Sequence, residues 1–192
     1  MILPVVKYGH PILRQKGARI EKVTPEIKKL IADMMETMYA AVGVGLAAQQ
    51  VGKAVQLTIL DVRGVKDRPS SMEIDGEPAE VADHMPLVLI NPEVTPVGKP
   101  VVGAEGCLSF PEIYADVIRP ESADVTATNE KGARIQFHCG GLLARAVQHE
   151  TDHLHGILFI DRMSAETKKE LKPQLEILQE TTKTALMREA KA

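Results

Sequence analysis

His149-Glu150-Thr151-Asp152-His153 sets two imidazoles four positions apart with a carboxylate directly after the first. On a helix, at about 100° per residue, His153 lies about 40° round from His149 and Glu150 about 100° round. Both imidazoles then share a face and the carboxylate stands beside it. This arrangement suits two nitrogen ligands on one metal ion with a base next to a metal-bound water. An amphipathic helix with a wet polar face could carry the same letters. A metal that does chemistry needs a third protein ligand and one open position. Cys107, Cys139 and His138 are the candidates; His155, about 240° round the axis from His149, cannot converge with it. A closed site joining both cysteines would leave Glu150 without a purpose, and the long interval between them matches no zinc-finger spacing.

These side chains need a helix and neighbouring strands to hold them. Gly140-Gly141 opens a helical pattern over residues 142–155, which Gly156 closes. Further back, Thr24-Pro25-Glu26 supplies an N-cap, a proline at the first helical position and an acid in the first turn. Ile27, Leu30, Ile31, Met34 and Met38 recur at helical spacing, so an amphipathic helix is expected up to Gly43-Val44-Gly45, its methionines as core filler. Two glycines two apart fit either a tight functional loop or a plain chain reversal. Residues 55–62, 86–94 and 101–108 read as strands, and residues 124–128 and 134–138 as a hairpin around Asn129-Glu130-Lys131-Gly132. The polar stretch 63–85, broken by Pro69, Gly76 and Pro78, is expected to be a long mobile surface loop. A last helix starts near Ser164, and Pro173 is expected to kink or restart it. Strands clustered between helices, without βαβ alternation, predict an α+β fold with a mainly antiparallel sheet. Residues 1–163 are read as the catalytic domain and residues 164–192 as its helical extension.

At 192 residues, 44% hydrophobic and 26% charged, the chain has the make-up of one ordinary globular domain. Lys and Arg number 23 against 26 Asp and Glu, aromatics make up 3%, and Trp is absent. No basic footprint or stacking platform for nucleic acid follows from that, so no direct sequence-specific nucleic-acid binding is expected. No apolar run approaches the roughly 18 residues of a membrane span, and residues 1–6 lack the flanks of a signal peptide. A cytoplasmic protein is expected, with each cysteine a free thiol or a metal ligand.

Gly43-Val44-Gly45-Leu46-Ala47-Ala48-Gln49-Gln50, Glu105-Gly106-Cys107-Leu108-Ser109 and Gln148-His149-Glu150-Thr151-Asp152-His153-Leu154 follow one another along the chain. They match G-x-G-L-A-A-x-Q, E-G-C-L-S and Q-H-E-x-D-H-L in order, and the sequence resembles the peptide deformylase family. The resemblance extends to Gly9-His10-Pro11-Ile12-Leu13-Arg14 and to Gly156-Ile157-Leu158-Phe159-Ile160-Asp161, and fades over residues 63–85 and beyond about Ser164.

The resemblance implies a sheet packed around a central metal-binding helix, flanked by an N-terminal and a C-terminal helix. It implies removal of the formyl group from N-formylmethionyl peptides, releasing formate, with a metal-bound hydroxide as nucleophile. Cys107, His149 and His153 would hold one divalent metal, iron(II) in the cell, with zinc, nickel or cobalt as substitutes. Glu150 would move protons, and Gln50 with the backbone N–H of Leu108 would polarise the formyl oxygen. Val44, Gly45, Gly106, Tyr114, Leu142 and Arg145 are expected around the substrate; Tyr114 stands where many relatives carry Arg. Glu105 is expected either to pair with Arg119 or orient a ligand, or to lie at the surface. The ribosome near its exit tunnel is an expected partner. Two other readings use the same residues: an H-E-x-x-H endopeptidase, and a non-catalytic binding protein that keeps the metal for stability.

Overall fold

The computed structural model describes residues 1–190. Helix α1 spans Pro25–Ala40, α2 Gly141–Leu154 and α3 Ala165–Glu189. The strands are β1 Gly45–Ala47, β2 Leu57–Leu60, β3 Ser70–Ile74, β4 Glu77–Ala79, β5 Leu87–Cys107, β6 Phe110–Thr128 and β7 Arg134–Gly140. They form one antiparallel sheet in the order β1-β2-β5-β6-β7-β3-β4.

Helix α1 begins where the capping signal stands: the Thr24 side chain accepts from the Ile27 N–H. Its stripe of Ile31, Met34 and Met38 packs with Leu46, Leu57 and Ile59 of β1 and β2. A second core joins Leu142, Leu143 and Val147 of α2 to Val125, Phe137 and Leu89 on the sheet. A third gathers Phe110 and Phe159 with Leu13 and, from α3, Leu175. Every residue from Leu142 to Leu154 is buried, so α2 runs through the interior. Its first residue must be glycine: Gly141 has φ +65°, and a Cβ there would lie 2.2 Å from the Pro69 carbonyl oxygen.

Three expectations are corrected. Residues 63–85 are not a structureless loop, because β3 and β4 form a hairpin there and β3 pairs with β7, burying Met72. Segments 86–94 and 101–108 belong to one continuous strand, β5, whose partner β6 has no counterpart in the sequence reading before residue 124. Pro111 and Pro120 obscured that partner; β6 accommodates Pro120 opposite Pro100, where the register shifts. Finally, Pro173 does not restart α3 as a second element, since one helix runs from Ala165 to Glu189 with Pro173 inside it.

Candidate metal centre

Strand β5 ends at Cys107, residues Leu108 and Ser109 make the turn, and β6 departs from Phe110. The turn delivers the thiol to the buried helix α2, where His149 and His153 share a face with ring centroids 5.2 Å apart. One ligand atom from each of Cys107, His149 and His153 lies within 4.8 Å of the others. The Cys107 sulfur is 3.4 Å from His153 Nε2. His149 Nδ1 meets Glu105 Oε1 at 3.1 Å, which leaves its Nε2 to face the cluster.

Glu105 is buried, and so both sharper expectations for it hold in the geometry while a surface position does not. Besides His149 it accepts from Arg119 Nε at 2.9 and 3.0 Å. Arg119 in turn donates through Nη1 to Asp152 at 2.8 Å, and Arg162 reaches the same carboxylate at 2.7 Å. A chain of charge-assisted bonds thus runs from β5 through β6 to α2 and fixes the His149 ring. Burial alone would raise the Glu105 pKa, but the bond to His149 and the charges of His149 and Arg119 outweigh it and hold the carboxyl below its usual range. Burial also disfavours charge on His149, yet its bonds to Cys107 and Glu105 hold its pKa well above the ordinary imidazole value. His153, buried beside a charged His149, is driven well below that value.

A cysteine sulfur and two imidazoles converging on one point suit a divalent transition metal, whose binding would displace the thiol proton. No other group of three or more metal-binding side chains comes together among the described residues. The cluster lies against a cavity of about 540 Å³ whose walls include Val44, Gly45, Gln50, Leu108, Tyr114 and Glu150. Glu150 Oε2 is buried without a hydrogen-bond partner, and burial pushes the carboxyl pKa up to about 7. Gly45 leaves room for it: a Cβ there would lie 2.5 Å from Glu150 Oε1 and displace that side chain. Gln50 is oriented by its own loop: Oε1 accepts from the Ala47 N–H at 2.9 Å, which turns Nε2 toward Cys107 and Ser109 at 3.4 and 3.3 Å.

Two expected pocket residues lie elsewhere. Leu142 packs in the core beside Val147, and Arg145 is buried with its guanidinium donating to the Val117 and Val101 carbonyls at 2.8 and 2.9 Å. Neither lines the cavity, because each sits on a turn of α2 that faces the sheet before the helix reaches the cluster. Gly106 and Tyr114 do line it, on paired positions of β5 and β6. Of the other third-ligand candidates, Cys139 is buried on β7, paired with Met72 and Ala123, and His138 meets Asp124 at 2.7 Å. The sequence reading missed Lys7, Ser109 and Asp152; Lys7 meets Leu108 across 101 positions, and Asp152 meets Arg119 across 33 and Arg162 across 10, intervals that no spacing rule signals.

Residues 2–169 match the family model described as polypeptide deformylase. A peptide deformylase from Methylacidiphilum infernorum is 49% identical over 176 residues, covering 92% of each chain. One from Opitutus terrae is 42% identical over 187 residues, covering 96% of this chain and 97% of that one. Among solved structures, a peptide deformylase from Synechococcus elongatus in complex with actinonin superposes with a TM-score of 0.76 at 37% identity, covering 90% and 85% of the two chains. Peptide deformylase 1B of Arabidopsis thaliana, in complex with an inhibitor, gives 0.81 at 38% identity, covering 95% and 93%. With a family model matched over most of its length and relatives this similar end to end, the chain belongs to the polypeptide deformylase family.

Proposed function

We propose that this chain hydrolyses the N-formyl group from the terminal methionine of newly made polypeptides and releases formate. One observation carries the mechanism: a buried carboxylate that is not among the three converging metal-binding groups lines the same cavity as they do, with one oxygen unpartnered. A divalent metal held by Cys107, His149 and His153 would act as a Lewis acid and lower the pKa of a bound water to about 7. The family resemblance supports iron(II) as that metal in the cell. A thiolate–iron(II) centre oxidises in air, so activity should decay aerobically and persist under anaerobic handling.

Glu150 takes a proton from the attacking water and returns it to the leaving amine nitrogen, regenerating the carboxylate. Its pKa near neutrality suits both transfers. Gln50 Nε2 and the Leu108 N–H donate to the formyl oxygen as negative charge develops there. Val44, Gly45, Gly106 and Tyr114 bound the space for the methionine and the peptide behind it. Because the substrate is a nascent chain, the cytoplasm and the ribosome near its exit tunnel are the proposed place of encounter.

The test is a substrate panel with metal-loaded protein, reading free amine from formyl-Met, acetyl-Met and internal-peptide substrates. Release from the formyl substrate alone is expected; cleavage of internal peptides would make the chain an endopeptidase instead. Glu150→Ala should retain stoichiometric metal and lose about 10² to 10⁴-fold in kcat. Near-normal turnover in that metal-loaded variant would remove Glu150 from the mechanism.

A further inference from the structure

The extended segment before the first short helical turn carries no motif, yet it touches both segments that supply donors to the substrate oxygen. The Val6 N–H donates to the Gln50 carbonyl at 2.9 Å, and the Tyr8 N–H to the Ser109 carbonyl at 2.9 Å. Between them, Lys7 Nζ donates to the Leu108 carbonyl at 2.8 Å, on the wall of the same cavity. The Tyr8 ring stacks on Phe110 with centroids 4.8 Å apart.

The turn at Leu108 and Ser109 needs such support. Favoured two-residue hairpin turns place φ above zero at one or both central residues, which matches the twist of the flanking strands. Neither Leu108 nor Ser109 has positive φ, and the β5–β6 register breaks at Gly106/Cys107. The turn is therefore not fixed by its own backbone preference. Its two carbonyls are held from outside by residues 7 and 8, and the Ser109 hydroxyl by Gln50.

The geometry points to Lys7 as a positioning residue for deformylation: its ammonium pins the Leu108 carbonyl and so fixes the turn whose Leu108 N–H acts with Gln50 on the formyl oxygen. A bond from a charged donor is about twice as strong as a neutral one, so this one holds the turn more firmly than the neighbouring backbone bonds. Removing it lets the Leu108 N–H drift relative to Gln50. The inference rests on the assignment of Gln50 and Leu108 as donors, and its test therefore carries a Gln50 variant alongside.

Lys7→Met keeps the aliphatic stem and removes the donors. A misplacement of about 1 Å can cost about 10² in rate, and Lys7→Met should lower kcat by about 10 to 10²-fold. KM, metal content and Tm should stay near wild type, and the amides of residues 107–110 should exchange hydrogen faster. Lys7→Arg, which keeps a cationic donor, should restore most of kcat. Gln50→Leu should cost about 10² to 10³-fold. Full kcat in Lys7→Met while Gln50→Leu is impaired overturns the role of Lys7 and leaves the deformylation mechanism standing. A fall in Tm with intact kcat makes Lys7 merely structural and also overturns it. Unimpaired Gln50→Leu removes the donor pair itself, and the inference falls with it.

Discussion

Cys107 and Cys139 are both free thiols, and their surroundings separate them. Cys139 is fully buried on β7, where burial pushes its thiol up to about 12, so it offers no thiolate at neutral pH. Cys107 sits half-buried between two imidazoles, next to a cavity. Cys107→Ser should strip or exchange the metal, since a hydroxyl is a far poorer donor than a thiolate, whereas Cys139→Ala should keep stoichiometric metal; elemental analysis after dialysis reads both. A reversed result would mean that the wrong cysteine has been placed in the cluster. The pair of imidazoles and the adjacent carboxylate were legible because helical spacing alone aligns them. The choice of cysteine was not, since it depends on where a hairpin turn lands, and only the family resemblance singled out Cys107. Glu105 was half legible: its neighbours in sequence say nothing of His149, which lies 44 positions away.

At the scale of elements, the helices read well and the long strands poorly. Capping residues and a 3.6-residue apolar period marked α1 and α2 near their observed bounds, because both signals are local. Strands β5 and β6 pair along nearly their whole lengths, so their extent is set by one another; Pro92, Pro100, Pro111 and Pro120 stand at register shifts, while Pro96 pairs in register with Ala123. The displaced expectation for Arg145 has the same origin. The periodicity gave its angle on α2, but it said nothing of which strand lies opposite. Arg145 fills the space left by Gly103, where a Cβ would lie 2.7 Å from the guanidinium carbon, and it ties β5 and β6 to α2. Arg145→Met should therefore cost about 2 to 4 kcal/mol by leaving the buried Val117 carbonyl and the half-buried Val101 carbonyl without their charged donor, measured by urea unfolding, while KM for a formyl-Met peptide stays near wild type. A raised KM without loss of stability would return Arg145 to the substrate pocket.

Across the whole molecule, one tie joins the beginning of the chain to the segment behind helix α2. Arg14 reaches Asp161 through Nη1 and Nη2, and Asp161 also accepts from the Leu158 N–H. Burial opposes ionisation of Asp161, but the bond from Arg14 outweighs it and holds the carboxyl below its ordinary value of 3.8. With the folded pKa below the unfolded one, the tie contributes fully at pH values above 3.8 and weakens as pH falls through the folded value. Asp161→Asn should lower Tm at neutral pH and flatten its fall at acid pH; parallel melting curves down to about pH 3 check it. Parallel falls in wild type and variant would remove Asp161 from the acid response. A different consequence comes from where the three ligands stand along the chain. The hairpin that carries Cys107 is made by neighbouring stretches, but His153 follows 46 positions later on a buried helix, packed against strands made before it and against Phe159 made after it. During its own vectorial synthesis this protein therefore lacks two of its three ligands until most of the chain exists. An enzyme that processes newborn chains must itself be nearly complete before it can process any.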